Sequence, residues 1–401
     1  MSKLVYLDSS DFSNLSFPKD TLSLQNSEIL SFLRAQKGNG TARFFMSAVH
    51  FSEAVHAAAE HKESALRRAE LMHELCGENV LRFPTELPKL ELRKALAGNE
   101  AAVLSQEELL SDKGQWFGFD CDLDSLKAAR RNADSEIDKL LAPLPRQQRR
   151  KLRSSLDLRK KSSHAKWREL IESGTAPTAA EFPLNLLGPD AAVAWFLGEI
   201  SDEDYRERML TVMHDPCAMF KHLLDETKNQ QKLYDILRKQ GHDMSLDLER
   251  STEAMRPALT AIALSNVEID LTELINELCL SPAFLRQNIS TYSDISCDHI
   301  SDDALFRVTT SCPSLSAYLE TSKSYLLVSA YSFISKIRAG GTSPKKANQS
   351  DFGDLMHSFY APYFDVFRCD ARFGALLKRH KPLRARIADR ISDLPKMLSV
   401  D

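Results

Sequence analysis

Asp8, Glu53, Asp354 and Asp370 are the residues whose type and placement point to chemistry. Asp8 closes the apolar run at 4–7 and Asp370 closes the run at 366–369. Glu53 and Asp354 fall in the opening turns of helix-like stretches, with Asp351 one turn before Asp354. Carboxylates are hard oxygen donors, and Mg2+ takes a few of them beside water and phosphate oxygens. One or two such ions can generate a hydroxide at neutral pH and steady the attacking and leaving oxygens of a phosphodiester displacement. Four carboxylates in one cleft without a cation would raise one another's pKa. A second reading stays open, because acids at the start of a helix also cap free N–H groups and complement the helix dipole.

For the four to meet, the chain must place strand ends and helix starts on one edge. Residues 4–7 are too few, and too abruptly stopped by Asp8, to be a helix, so they read as a strand. Residues 27–35 carry helical spacing ended by Gly38, and 42–49 read as a second buried strand. Ser52 is the expected N-cap of one long helix to Leu75, and 79–83, before Pro84, is a third expected strand. Strands alternating with helices predict a parallel α/β sheet, whose ligands gather at the carboxyl ends of its strands.

Beyond residue 90 the strand signals fade. The runs 190–200, 205–213, 220–240, 271–279 and 318–337 have apolar residues at helical spacing, separated by Gly188-Pro189, Gly241 and Ser281-Pro282. No repeat of fixed period supports a solenoid. After Gly340-Gly341 the α/β pattern returns, with a helix from 351, a strand at 366–369 and a helix at 371–378. The expected fold is therefore α/β, a parallel sheet flanked by helices and interrupted by a large all-helical insertion. Residues 1–90 and 345–401 form one domain of ordinary size, and 91–344 form the insertion.

Composition bounds the class. A chain of 401 residues exceeds the size at which single cores stop growing, and 43% hydrophobic residues exclude disorder. A net charge of −4 excludes a uniformly basic nucleic-acid glove but not a local basic patch. The seven cysteines are scattered without a C-x-x-C pair, so neither a disulfide framework nor a zinc ribbon is indicated. No apolar stretch approaches the roughly 20 residues of a membrane helix, and the opening MSKLVYLDSS has no leader pattern. The expectation is a soluble cytoplasmic protein with no membrane partner.

The chain resembles PIN-domain nucleases in L-V-Y-L-D-S-S around Asp8, in F-F-M-S-A-V-H-F-S-E ending at Glu53, and in S-D-F-G-D-L-M-H-S-F-Y-A-P-Y-F-D-V-F-R-C-D-A-R-F over 350–373. The last stretch is the most specific. The resemblance implies a PIN-like sheet and Asp8, Glu53, Asp354 and Asp370 as ligands of Mg2+ or Mn2+. It also implies endoribonuclease cleavage of RNA, usually single-stranded, leaving a 5′-phosphate and a 3′-hydroxyl. Asp351 either shares the metal or caps its helix with Ser350. Ser9 and Ser10 either orient water or close the turn, and Asp365 is expected to begin the last strand near the cleft edge. The resemblance covers the two ends of the chain and leaves the helical middle undefined.

Residues Arg146 to Arg168 carry ten basic side chains against the single acid Asp157. Among them Arg149, Arg150, Lys151, Arg153, Lys160 and Lys161 would attract a phosphate backbone, and Trp167 would stack on a base. A solvated helix face is the plainer reading of that set, and Lys378 and Arg379 are a second candidate for such contacts. His50 and His56 around Glu53 do not have the H-E-x-x-H spacing of a zinc helix. His357, three residues after Asp354, either packs within its helix or touches the cleft. P-loop, dinucleotide-binding and serine-hydrolase motifs are absent. The leading expectation is a Mg2+- or Mn2+-dependent endoribonuclease acting on RNA in preference to DNA, with a regulatory protein partner on the insertion as a further expectation. The alternatives are a DNA or structure-specific nuclease of the same fold, and a non-catalytic RNA-binding or scaffold protein.

Overall fold

The run Lys-Leu-Val-Tyr opens the chain as β1 (Lys3–Tyr6), with Val5 and Tyr6 buried. Three more short runs, β2 (Ala42–Phe45), β3 (Val366–Arg368) and β4 (Ile387–Ala388), join it in one parallel sheet of order β2-β1-β3-β4. Such nearly continuous apolar strands are what a parallel sheet needs when both of its faces are covered. Tyr6 lies level with Phe45 on one side and Phe367 on the other, so the strands end together. The computed structural model describes residues 2–58 except 19, 62–98, 102–111, 141–155, 186–225, 255–265, 270–293, 299–341 and 349–399, with isolated positions between.

Helices α1 (Ser9–Leu15) and α2 (Leu24–Gly38) link β1 to β2, followed by α3 (Ala48–Ala58), α4 (Lys62–Cys76) and α5 (Glu86–Leu96). The described part of the middle forms helices joined by short turns and loops. It comprises α6 (Gln106–Leu109), α7 (Arg146–Ser155), α8 (Pro189–Phe196), α9 (Asp202–His214), α10 (Pro216–Asp225), α11 (Leu271–Cys279), α12 (Pro282–Ser293), α13 (Asp302–Ser311) and α14 (Pro313–Arg338). Helices α15 (Gln349–Ser358), α16 (Ala371–Leu377) and α17 (Leu394–Ser399) complete the fold.

Two local expectations are corrected. The third strand at 79–83 is reduced to single bridges, Val80 with Met46 and Leu81 with Leu110. Gly77, at φ +58°, and Pro84 leave little extended chain between them. The long helix expected from Ser52 is two helices, α3 and α4, and it begins earlier, at Ala48. The Ser52 hydroxyl donates within α3 to the Val49 carbonyl at 2.8 Å, so it caps nothing.

Part of the helical middle is built into the same core as the sheet, and α11 packs with the second half of α14 in a separate apolar cluster. One apolar cluster runs from Val5 and Phe367 through Trp195, Leu305, Leu315 and Tyr318, and Tyr318 stacks on Phe359 at 4.7 Å. Helix α14 begins at Pro313 with no side-chain cap from Cys312. Glu91 of α5 supplies the missing acceptor, taking the Ser314 N–H at 3.0 Å and its hydroxyl at 2.7 Å while Tyr363 donates to the same carboxylate. Burial pushes Glu91 up to about 7 in spite of these donors.

Candidate metal centre at the carboxyl edge of the sheet

Between β1 and β3 the connections diverge. β1 leads outward to β2 on one side, and β3 leads to β4 on the other. A crevice at such a switch point, outside the carboxyl ends of the strands, is where parallel sheets bind ligands. Asp8 and Asp370 stand at the ends of the two flanking strands. Each is also an N-cap: Asp8 Oδ1 accepts the Ser10 N–H at 2.7 Å, and Asp370 Oδ1 accepts the Phe373 N–H at 2.7 Å. The capping reading of these two acids therefore holds, and it engages Oδ1 of each carboxylate.

Glu53 and Asp354 come from helices. Glu53, on α3, faces His357 of α15 at 3.7 Å, and Asp354 Oδ2 accepts the Tyr325 hydroxyl of α14 at 3.0 Å. Gly353 is what lets α15 lie over Glu53, because a Cβ there would overlap Glu53 Oε1. The hydrogen bonds of Asp354 and Asp370 engage one oxygen each, Oδ2 and Oδ1, while the Asp8 carboxylate also takes the N3 backbone N–H of its capping box.

The charges are coupled. Asp354 is pushed up to about 7, first by burial and then by the charges of Asp370 and Glu53, against the pull of His357 and Tyr325. Burial raises the Glu53 carboxyl as well, but the His357 pair and the Ser9 hydroxyl outweigh it and hold Glu53 below the ordinary carboxylate range. His357 moves the opposite way: burial lowers it, yet Glu53, Asp8 and Asp354 together raise it. Hard oxygen donors with mutual repulsion suit a divalent cation. Among the described residues, however, no three His, Cys, Asp or Glu side chains form a group that could hold one ion as they stand. The donor set and its charge fit such an ion, while a finished cage is not formed.

Other expected residues fall as follows. Asp351 lies in the first turn of α15, and its side chain is outside the described residues. Asp365 is corrected: it precedes β3 at the amino edge, away from the acids, where it accepts the Leu4 N–H at 2.8 Å. Arg149, Arg150, Lys151 and Arg153 are exposed on α7, and Arg149 also donates to the Ala142 and Leu144 carbonyls at 3.2 Å. Lys160, Lys161 and Trp167 lie outside the described residues. Lys378 is ion-paired with Asp389, whereas Arg379 is exposed.

Several residues of the site escaped sequence reasoning. Asp389 follows β4 and is a further acid on this edge. Asp11, the third helical residue of α1, accepts the Asp8 N–H at 3.1 Å and pairs with buried Arg368 at 3.0 Å. Burial pushes Asp11 up to about 7 against the pull of Arg368. Tyr6, Ser47 and His50 form a buried polar run behind Glu53 that ends on His357, a residue the sequence already leaves between packing in its helix and touching the cleft. The D-S-S-D spacing at 8–11 was a capping-box signal for Asp11. His50 does the corresponding work in α3 by accepting the Ser47 N–H at 3.0 Å, a role no usual pattern assigns to histidine.

A parallel α/β sheet with an acidic carboxyl edge is thus the class that fold and site define. No family model matches the chain, and neither the curated proteins nor the solved structures give a match. Among the described residues no helix is long and apolar enough to cross a membrane.

Proposed function

We propose that the chain is a Mg2+- or Mn2+-dependent endoribonuclease of PIN-like type, acting on single-stranded RNA. The observation that carries this reading is the pair Asp8 and Asp370 at adjacent strand ends, electrostatically joined to Glu53 and Asp354. Bound Mg2+ or Mn2+ would supply a lowered water pKa and charge compensation at the phosphodiester. Asp8, Glu53, Asp354 and Asp370 would bind it, with Tyr325 and the two helix caps orienting their carboxylates. The exposed basic face of α7 and Arg379 would hold the phosphate backbone in a salt-dependent, sequence-independent way.

The test is cleavage of a labelled single-stranded RNA in Mn2+ by the wild type and by Asp8→Asn, beside the all-deoxy strand. Cutting of RNA by the wild type alone is the expected result. Equal cutting of the deoxy strand would move the substrate to DNA, since only RNA offers the 2′-hydroxyl. One observation favours a second reading, a non-catalytic RNA-binding or scaffold protein: the acids do not close around an ion as they stand. RNA binding without Mn2+ binding in calorimetry would select it.

A further inference from the structure

The hydrogen-bond directions behind Glu53 can be worked out one at a time. His50 Nδ1 receives the Ser47 N–H and so carries no proton, which leaves its Nε2–H to donate to the Leu7 carbonyl at 2.8 Å. Burial pushes His50 down to about 4, in keeping with a neutral ring. The Ser47 hydroxyl, 3.1 Å from that bare nitrogen, donates to it as well, sharing the acceptor with the Ser47 N–H. Tyr6 then gives its only proton to Ser47 Oγ at 2.9 Å, and its oxygen accepts from His357 Nδ1 at 2.7 Å. His357 turns its other nitrogen to Glu53 Oε2. The chain runs His357, Tyr6, Ser47, His50, Leu7 carbonyl, with a donor facing an acceptor at each step. Its four side-chain residues are at most 5% exposed.

This run crosses β1, the start of α3 and α15, and both of its ends lie beside the acids. One end meets Glu53. The other grips the carbonyl of Leu7, the residue before Asp8. Resting on the nuclease reading above, we propose that the chain is a positioning device that holds Glu53 and the Asp8 strand end in fixed register. Tyr6, Ser47, His50 and His357 act through those carboxylates and are positioning residues. Mutating the groups that hold metal ligands in place typically costs about 10- to 100-fold in metal affinity.

Tyr6→Phe tests the device by removing one hydroxyl while keeping the ring against Phe367 and Tyr360, at 4.9 and 5.5 Å. Tyr205→Phe, in the stack with Trp195 at 4.7 Å, is the control for losing a buried tyrosine hydroxyl elsewhere. Two quantities are measured on the full chain: the 15N resonances of the histidine rings, and Mn2+ affinity by calorimetry. Tyr6→Phe is expected to shift the His357 resonances and to weaken Mn2+ binding by about 10- to 100-fold, with Tyr205→Phe doing neither. Unchanged His357 resonances would overturn the chain. Shifted resonances with wild-type Mn2+ affinity would overturn its positioning role. A wild type that binds no Mn2+ would count against the metal reading of the whole site. That result is told apart from failure of the chain, because the imidazole resonances need no metal.

Discussion

Asp8 and Asp370 each fill two positions, as helix cap and as candidate ligand, and substitutions can separate the two. Asparagine caps a helix about as well as aspartate. Asp8→Asn is therefore expected to lose cleavage while its unfolding free energy stays within about 0.5 kcal/mol of the wild type. Asp8→Ala should lose cleavage and about 1 kcal/mol as well, a difference that urea titration resolves. Gly353→Ala makes the opposite cut. The new methyl meets only the far end of the Glu53 side chain, which can swing away, and alanine is the better helix former by about 1 kcal/mol. Stability should hold or rise while Mn2+ affinity falls, and unaltered affinity would remove Gly353 from the site. The acids after apolar runs were legible in the sequence because one residue both stops a strand and caps a helix. The Glu53–His357 pair was not, since it exists only where α15 crosses α3, and no local spacing records that crossing.

At the scale of elements, α14 depends on an acceptor from another helix. Glu91→Ala would leave the first-turn N–H of α14 and the Tyr363 hydroxyl without a buried partner, a loss of about 2–4 kcal/mol. Glu91→Gln keeps an acceptor and removes the titration. A carboxyl raised from its ordinary value of 4.5 to about 7 on folding contributes stability that is fully present below 4.5 and lost as pH rises through 7. For Glu91 that amounts to at most about 3 kcal/mol. Asp11 and Asp354 are raised in the same sense, so the wild type should be less stable at pH 8 than at pH 5. Denaturant titrations at the two pH values should show a smaller difference in Glu91→Gln. Helices with apolar residues at regular spacing were legible, and 271–279 matches α11 residue for residue. β4 was not, because two residues carry no periodicity and pair only where β3 already offers an edge.

At the scale of the whole molecule, part of the helical middle shares the core of the two ends, while α11 and the second half of α14 pack into a cluster of their own; composition and spacing could show neither. Leu315, Tyr318 and Trp195 belong to the cluster that covers the sheet. A chain fusing 1–90 directly to 345–401 is expected to lack a cooperative unfolding transition by circular dichroism. A sharp transition in that fusion would make the insertion a separate unit. The sheet order carries a further consequence for biosynthesis. β1 pairs with β2 early, but its other edge waits for β3, which begins at Val366. At a synthesis rate of about 5–20 residues per second, that edge stays open on the ribosome for something like 15 to 60 seconds. An open edge invites pairing with other chains, so nascent-chain protection belongs to this topology. The delay also applies to the proposed site: Asp354 and Asp370 arrive after nearly all the rest, so a partly made chain carries an incomplete acid set.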